Sequence, residues 1–372
     1  MRNSLILVAL LWPPLMQAAS FCVNDSAELV DALSEANNNG QDDVIRIRNG
    51  DYLIVNNEPF RWLNLEPHDL VISGGWEPFN QFDCMIQSGT PYDTTLDGDD
   101  SAAVLYLQIT GGDEANLVVE NLTISNGRTT AVNESAGLRI LNQGNPNASE
   151  VLIDQVLFLG NDGVNGAGLY YLGTGQLTVR NSVFMFNNTD SGDGVANIAM
   201  SANAPGVYFI NNTLINNSSD DPSTAATNVS GLLLNLNWDN GDTPEALLAN
   251  NLFWYQSSND FYVTFSGGLT HLFHNNYENG GGLIEASGRN RSVPPALSPF
   301  LLNFTPEPGS PLIDAGLSMG DPIPNASAFI NNWDHGSEDF DRGIITRIHN
   351  NQVDIGAVES DWDELIFKSD FD

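Results

Sequence analysis

Four aspartates, Asp190, Asp193, Asp220 and Asp221, are the side chains in this sequence whose type and spacing come nearest to chemistry. They sit in polar turns that recur along the chain, preceded by Asp162 and followed by Asp260. Carboxylates gathered in this way can divide the work of acid and base, or they can hold a hard cation through oxygen ligands. If the turns stack at the spacing of neighbouring strands, about 4.8 Å, two such charges repel by about 1 kcal/mol in water and about 3.5 kcal/mol at an effective dielectric of about 20. A Ca²⁺ ion bound between them reverses that penalty. Asp190 and Asp193 flank Gly192, whose backbone is free to turn both side chains inward, so calcium at Asp190 and Asp193 is the cation site this spacing suggests. A second arrangement fits the same spacing: longer turns splay the carboxylates into water, where the repulsion is screened and nothing binds. No His or Cys cluster has zinc spacing, no Ser-His-Asp order stands out, and no cofactor is required.

The elements that must position these turns are short strands. From Gly166 to Asn217 one pattern is written twice, G-A-G-L-Y-Y then L-T-V-R-N-S-V-F-M-F-N-N, and G-V-A-N-I-A-M then V-Y-F-I-N-N-T-L-I-N-N. β-Rich runs punctuated by Gly and Asn, at a repeat of roughly 25 to 40 residues, describe a solenoid. Aligned on one asparagine, the copies fall at Asn121, Asn181, Asn212, Asn251 and Asn276, with Gln155 in the remaining coil. Asn accepts the left-handed backbone of a tight bend, and stacked amides can bond one another in an asparagine ladder; the same residues also suit ordinary polar loops.

Three positions beyond the anchor come Ile124, Phe158, Phe184, Ile215 and Trp254, the expected core stack. The alternating positions Leu157, Leu159, Val183, Met185, Leu214, Phe253 and Tyr255 then point outward, an apolar stripe too large to leave in water. Two covers are open to it: the Pro-rich segment from Pro294 to Pro324 folding back, or a partner or second copy of the chain.

Charge narrows the partners. The 372 residues carry 47 acidic and 12 basic side chains, a formal charge of −35, and Lys368 is the single lysine. A field of that sign repels nucleic acid and anionic membranes, and it disfavours an anionic polysaccharide unless a divalent cation lies between. Much of it also serves solubility alone. Gly at 34 residues, against 41% hydrophobic residues, suits many turns between short strands.

Residues 1–20 hold one Arg, an apolar run from Leu5 to Leu11 and small residues at Ala18, Ala19 and Ser20, which reads as a secretory signal. No later stretch approaches the roughly 18 apolar residues of a membrane helix. Export makes the two cysteines, Cys22 and Cys84, read as a disulfide rather than two buried thiols. In residues 21–116, Asp25-Ser-Ala-Glu28 is a capping box ahead of Leu29, Ala32, Leu33 and Ala36, one helical face that would plug the open end of the solenoid. Irregular first coils follow, with Gly74-Gly75-Trp76 and Leu96-Asp97-Gly98 expected as turns. Regular coils occupy 117–293, and the prolines of 294–360 end them as an irregular cap. Residues 361–372 form a short tail.

The repeat with its Asn bends resembles the right-handed parallel β-helix of the pectate-lyase-like superfamily. Ser310-Pro-Leu-Ile-Asp-Ala-Gly316, Asp341-Arg-Gly343 and Asp354-Ile-Gly-Ala-Val-Glu359 resemble the choice-of-anchor Q module, which precedes sorting or anchoring signals on exported bacterial proteins. Ile366-Phe367 to Phe371 is similar to a short exported tail, with Ser369-Asp370 where Asp-Gly is expected. The resemblance implies an all-β solenoid at the outer cell surface or beyond. Asn188-Thr-Asp190, Asp220-Asp221, His335-Gly336 and Arg347-Ile348 are similar to the polygalacturonase set, but His335 and Arg347 fall far beyond the coil that needs them and His349 replaces the lysine. A pectate lyase needs calcium-binding carboxylates and a basic residue, and neither Arg139 nor Arg180 of the regular coils, the basic candidates, has a carboxylate cluster at matching register.

Two functions follow as expectations. The first is a non-catalytic exported β-helix that presents an extended surface to a polysaccharide or cell-surface glycan; the second is a polysaccharide lyase or glycoside hydrolase.

Overall fold

A computed structural model describes residues 18–360, apart from 65, 80–81, 111–113, 132–133, 146–147, 191, 202–203, 222–227, 237–243, 265–269, 299–301, 342–346 and 349–351. The expected signal segment as far as residue 17, Arg342 with Gly343, His349, and the tail 361–372 lie outside the described residues. The chain is a parallel β-helix. One coil shows its construction: Leu169–Gly173, a two-residue corner, Gln176–Arg180, a bend, Val183–Met185, a second bend, Asn188–Thr189, and then Ala196–Met200 directly above the start. Equivalent strands pair in parallel from coil to coil. Among the described residues this makes one long first sheet, a second sheet and a narrow third one. Alternate residues face the interior, as Leu177 and Val179 do, and the interior is a single apolar cluster running the length of the helix.

The N-terminal helix Ser26–Glu35 is built as its sequence dictates. The Asp25 carboxylate accepts from the backbone N–H groups of Ala27 and Glu28 at 3.0 and 2.9 Å, which satisfies orphan donors of the first turn. Leu29, Ala32 and Leu33 are buried against the first coil, so the helix closes the end of the core. Cys22 and Cys84 form a disulfide with their Cα atoms 5.7 Å apart. It ties the first strand, Ala19–Val23, to Phe82–Gln87. Gly74-Gly75-Trp76 is no turn: it continues one strand, Leu70–Phe79, which pairs antiparallel with Phe82–Gln87. Leu96 and Asp97 likewise belong to a strand, Thr94–Asp97.

The register of the later coils corrects the alignment on asparagine. Left-handed bends stand at Asn121, Gln155 and Asn181, with φ of 54°, 56° and 48°, and then at Asn211, Asn250 and His274, with φ of 55°, 59° and 55°. Asn212 and Asn251 are each one residue past the bend. The core stack is therefore Ile124, Phe158, Phe184, Leu214 and Phe253, in register across consecutive coils. Ile215 and Trp254 face outward instead. The doublets Asn211-Asn212 and Asn250-Asn251 offered two anchors, and a one-residue slip exchanges the two faces of a strand.

Two ladders of buried amides result. Asn212 Nδ2 donates to Asn251 Oδ1 at 3.1 Å, Asn251 to Asn275 at 2.9 Å and Asn275 to Asn290 at 3.1 Å, beginning from the Ser182 backbone N–H. Asn276 is outside this ladder and exchanges bonds with the Val293 backbone. Asn121 and Asn181 are bend residues rather than rungs. The second ladder, at the next corner, is Asn161, Asn187 and Asn217, with amide-to-amide bonds of 2.9 and 3.1 Å.

The outward stripe is covered. Leu157, Val183, Met185, Ile215, Leu252 and Trp254 pack under Phe304, Leu312 and Ala315, and then under Phe340, Ile355, Ala357 and Val358. A second outward patch, Tyr208, Ile210, Leu247, Ala249 and Phe273, lies beneath Leu317, Ile323, Ile330 and Trp333. The covering segment thus runs well beyond Pro324. Leu214 and Phe253 are in the interior, and Tyr255 is 67% exposed. In the covering segment Ser360 donates to Asp354 through both its N–H and its hydroxyl, at 2.8 and 2.6 Å, and Arg347 Nη2 donates to the Asp354 carbonyl at 2.8 Å. The Asp-Ile-Gly-Ala-Val-Glu motif is in this way a buried turn. Both outward patches belong to the first sheet, and the second sheet keeps its outer face.

Candidate functional site

The second sheet is built from the Gly-led strands, and strand alternation decides which of their side chains reach solvent. Trp62, Leu107, Ile140, Tyr171, Ile198, Leu234 and Val263 point into the core. Between them, one outward residue per coil forms a row in register: Arg61, Tyr106, Arg139, Tyr170, Asn197, Leu233 and Tyr262. Leu63, Gln108, Leu141, Leu172, Ala199, Asn235 and Thr264 form a parallel second row.

At the N-terminal end of the row lies a cavity of about 490 Å³ lined by Glu58, Arg61, Tyr106, Arg128, Glu134 and Arg139. The Arg139 guanidinium carbon lies 4.8 Å from the centre of the Tyr106 ring, and that of Arg61 lies 5.3 Å from it. The Tyr106 hydroxyl donates to Gln108 Oε1 at 2.6 Å, which fixes the ring. Arg139 Nε is buried and has no hydrogen-bond partner among the described residues. Farther along, Tyr170, Asp193, Asn197, Leu233 and Asn235 line a second cavity of about 530 Å³. Burial pushes the Tyr170 hydroxyl up, with Arg139 pulling against it and Asp193 adding to it, so those two charges bracket this phenol. Asn235 Oδ1 is buried there without a partner.

The carboxylates singled out by spacing are distributed differently. Asn188 Nδ2 bridges Asp162 Oδ1 and Asp220 Oδ2, both at 3.1 Å, and Arg128 Nη2 is 3.6 Å from Asp162. Asp190 belongs with this group: partial burial, then Asp162, then Asp220 raise its carboxyl above the usual range, against Arg128. Asp193 faces the second sheet instead, beside Tyr170. Asp221 lies against Gly192, whose φ of 74° suits glycine. Asp260 is 3% exposed and accepts the backbone N–H groups of Glu278 and Asn279 at 2.7 Å each, and burial pushes it up to about 6. Among the described residues no group of three His, Cys, Asp or Glu side chains is placed to hold a metal ion.

The enzyme-like pairs also separate. His335 is buried on Trp333, with ring centres 4.2 Å apart, and burial next to Arg347 and Arg180 pushes it down to about 3, so it stays neutral. Arg347 is buried 3.6 Å from Glu359. Arg180 holds Asp154 at 2.7 Å and Asp334 at 3.0 Å, joining a coil to the covering segment. Of Arg139 and Arg180, Arg139 lies on the outer face of the second sheet and lines its cavity, as Arg128 also does. Arg61, Tyr106, Tyr170 and Tyr262 were missed by the sequence reasoning. Their signal was the alternation in L-Y-L-Q-I, L-R-I-L-N and L-Y-Y-L-G, which alignment on asparagine leaves unread.

No protein-family model and no curated protein matches this sequence. Among solved structures, pectin methylesterase PemA from Erwinia chrysanthemi is similar over 71% of this chain and 80% of its own, at 16% identity and a TM-score of 0.33. A likeness at that level carries no inference about chemistry.

Proposed function

We propose that this protein is an exported, non-catalytic β-helix that binds a polysaccharide chain along the open face of its second sheet. The observation that carries the reading is the outward row from Arg61 to Tyr262, one side chain per coil in register, with a cavity at each of two places along it; Tyr170 and Asn197 in its middle are largely buried. Coils repeat at about 4.8 Å, close to the length of one sugar residue in an extended chain, so successive side chains meet successive sugars. Tyr106 and Tyr262 supply rigid amphipathic surface at small entropic cost, and Tyr170 and Asn197, largely buried, line the second cavity with Asn235, where their polar atoms can meet hydroxyl groups. The disulfide accords with an oxidising compartment, and no helix among the described residues is long and apolar enough to cross a membrane.

The test is a binding screen of the mature protein against oligosaccharides, with products analysed in parallel. Saturable binding that falls at least tenfold in Tyr106→Ala with Tyr262→Ala, at an unchanged melting temperature, is expected. New reducing ends or unsaturated products in the same screen would move the protein to the hydrolases or lyases. Absence of binding by any oligosaccharide would remove the reading.

A further inference from the structure

We propose that Arg61 and Arg139 form a clamp for a single anionic group, a carboxylate or a sulfate ester, carried by a sugar residue that lies over Tyr106. The inference rests on the glycan reading of the same face and names the class of sugar it takes. Among the described residues an arginine without a carboxylate partner is common, since Arg46, Arg289 and Arg291 form no ion pair either, and what sets Arg61 and Arg139 apart is their convergence. Arg48, Arg128, Arg180 and Arg347 each face a carboxylate. Arg61 and Arg139 form no ion pair among the described residues, yet they converge from two coils on one ring, 5.3 and 4.8 Å from its centre.

Two like charges held this way repel, and the face of the Tyr106 ring offsets only part of that cost. An anion over the Tyr106 side chain, within reach of both guanidinium groups, offsets the repulsion with two attractions. The guanidinium fork suits the purpose, since it presents parallel donors to the paired oxygens of a carboxylate or sulfate. Arg139 Nε, buried and unpartnered, is the donor such a group would satisfy. Glu58 and Glu134 also line the cavity, and the Thr129 hydroxyl donates to Glu134 at 3.5 Å. Together with the net charge of −35 they exclude a dense polyanion, so the site takes an acidic group presented singly. The local field therefore reverses what the overall charge implies.

Calorimetry on the full chain with three oligosaccharides of equal length, one of neutral hexoses, one containing hexuronate and one bearing sulfate esters, decides the matter. At least one acidic ligand is expected to bind tenfold or more tightly than the neutral one, and which of the two does so identifies the group. Arg61→Gln and Arg139→Gln should each reduce acidic binding tenfold or more and reduce neutral binding by a smaller factor, so that the preference for the acidic ligand is lost. Arg61→Lys, which keeps the charge and loses the fork, should recover only part of it. Arg61 is exposed, so its variants keep the test intact if Arg139→Gln does not fold. Equal affinity for neutral and acidic ligands, or acidic binding unaffected by Arg61→Gln, would overturn the clamp while the glycan reading stands. Binding of none of the three would overturn both.

Discussion

Asn250 and Leu317 exchange two hydrogen bonds: the Asn250 amide donates to the Leu317 carbonyl at 3.0 Å and accepts from the Leu317 N–H at 2.6 Å. Asn250 stands at a left-handed bend of the solenoid, and Leu317 belongs to the segment that covers it. The same device recurs along the bend row. Asn181 donates to the His335 carbonyl at 2.9 Å, Gln155 to that of Asp339, and the His274 ring meets that of Ala315 at 2.8 Å. The bends thus serve twice, turning the strand and holding the cover over the outward apolar stripe.

Replacing Asn250 separates those two tasks. Asn250→Gly keeps the left-handed backbone accessible and removes only the amide, leaving the Leu317 N–H and C=O buried without partners at a cost of about 2 to 3 kcal/mol. Asn250→Ala adds about 1 kcal/mol or more of left-handed strain. Denaturant titration should show both losses in that order, and limited proteolysis should cut the covering segment first. Equal stability of Asn250→Gly and the natural protein would remove the clasp.

Stability should rise toward acid through Asp260. Its carboxyl is raised from 3.8 to about 6 by burial, so the folded state binds the proton more tightly than the unfolded chain. That contribution, about 3 kcal/mol, is complete below about pH 4 and lost as pH rises through about 6. Asp341, pushed up to about 7 by burial and Asp339, acts in the same sense. His335 acts in the opposite sense, because a buried neutral imidazole loses stability as pH falls below its ordinary value. Comparing Asp260→Asn with the natural protein isolates the first effect. The variant should be more stable at pH 7.5 and equal at pH 4, and a difference independent of pH would refute the assignment.

The carboxylates at the third sheet predict a charge effect. Partial burial, then Asp162 and Asp220, raise the Asp190 carboxyl, so its ionised form is disfavoured in the fold. Asp190→Asn should raise the melting temperature at pH 7, by an amount worth less than about 1 kcal/mol, and the gain should shrink in salt. Calcium and chelator, compared at matched ionic strength, are expected to leave the midpoint unchanged, since Asp190 and Asp193 face different surfaces. A calcium-specific rise that Asp190→Asn with Asp193→Asn abolishes would establish the cation site instead.

Much of the architecture was legible because it is local. The capping helix follows from Asp25 and the spacing of Leu29, Ala32 and Leu33, and the solenoid from strands and bends that recur within one coil. The core stack was legible through Phe184 and then slipped by one residue. Asn211 and Asn212 are equally good bend residues by type, and only pairing with the preceding coil selects the first. The candidate site was less legible still. Charge spacing drew attention to Asp190 and Asp193, which lie close in the chain and face apart.

By itself the sequence determined the β-solenoid and its helical plug, because strand alternation, helix periodicity and capping act over a few residues, and the Cys22–Cys84 pair, because the chain has two cysteines and no other pairing within it is possible. Tertiary structure alone decided which side of the wall is covered and which is open. It also brought Arg61 and Arg139, distant in sequence, onto the one ring of Tyr106. The physical reason is that neighbours on a solenoid wall come from different coils, and their register is set by the length of each turn between them.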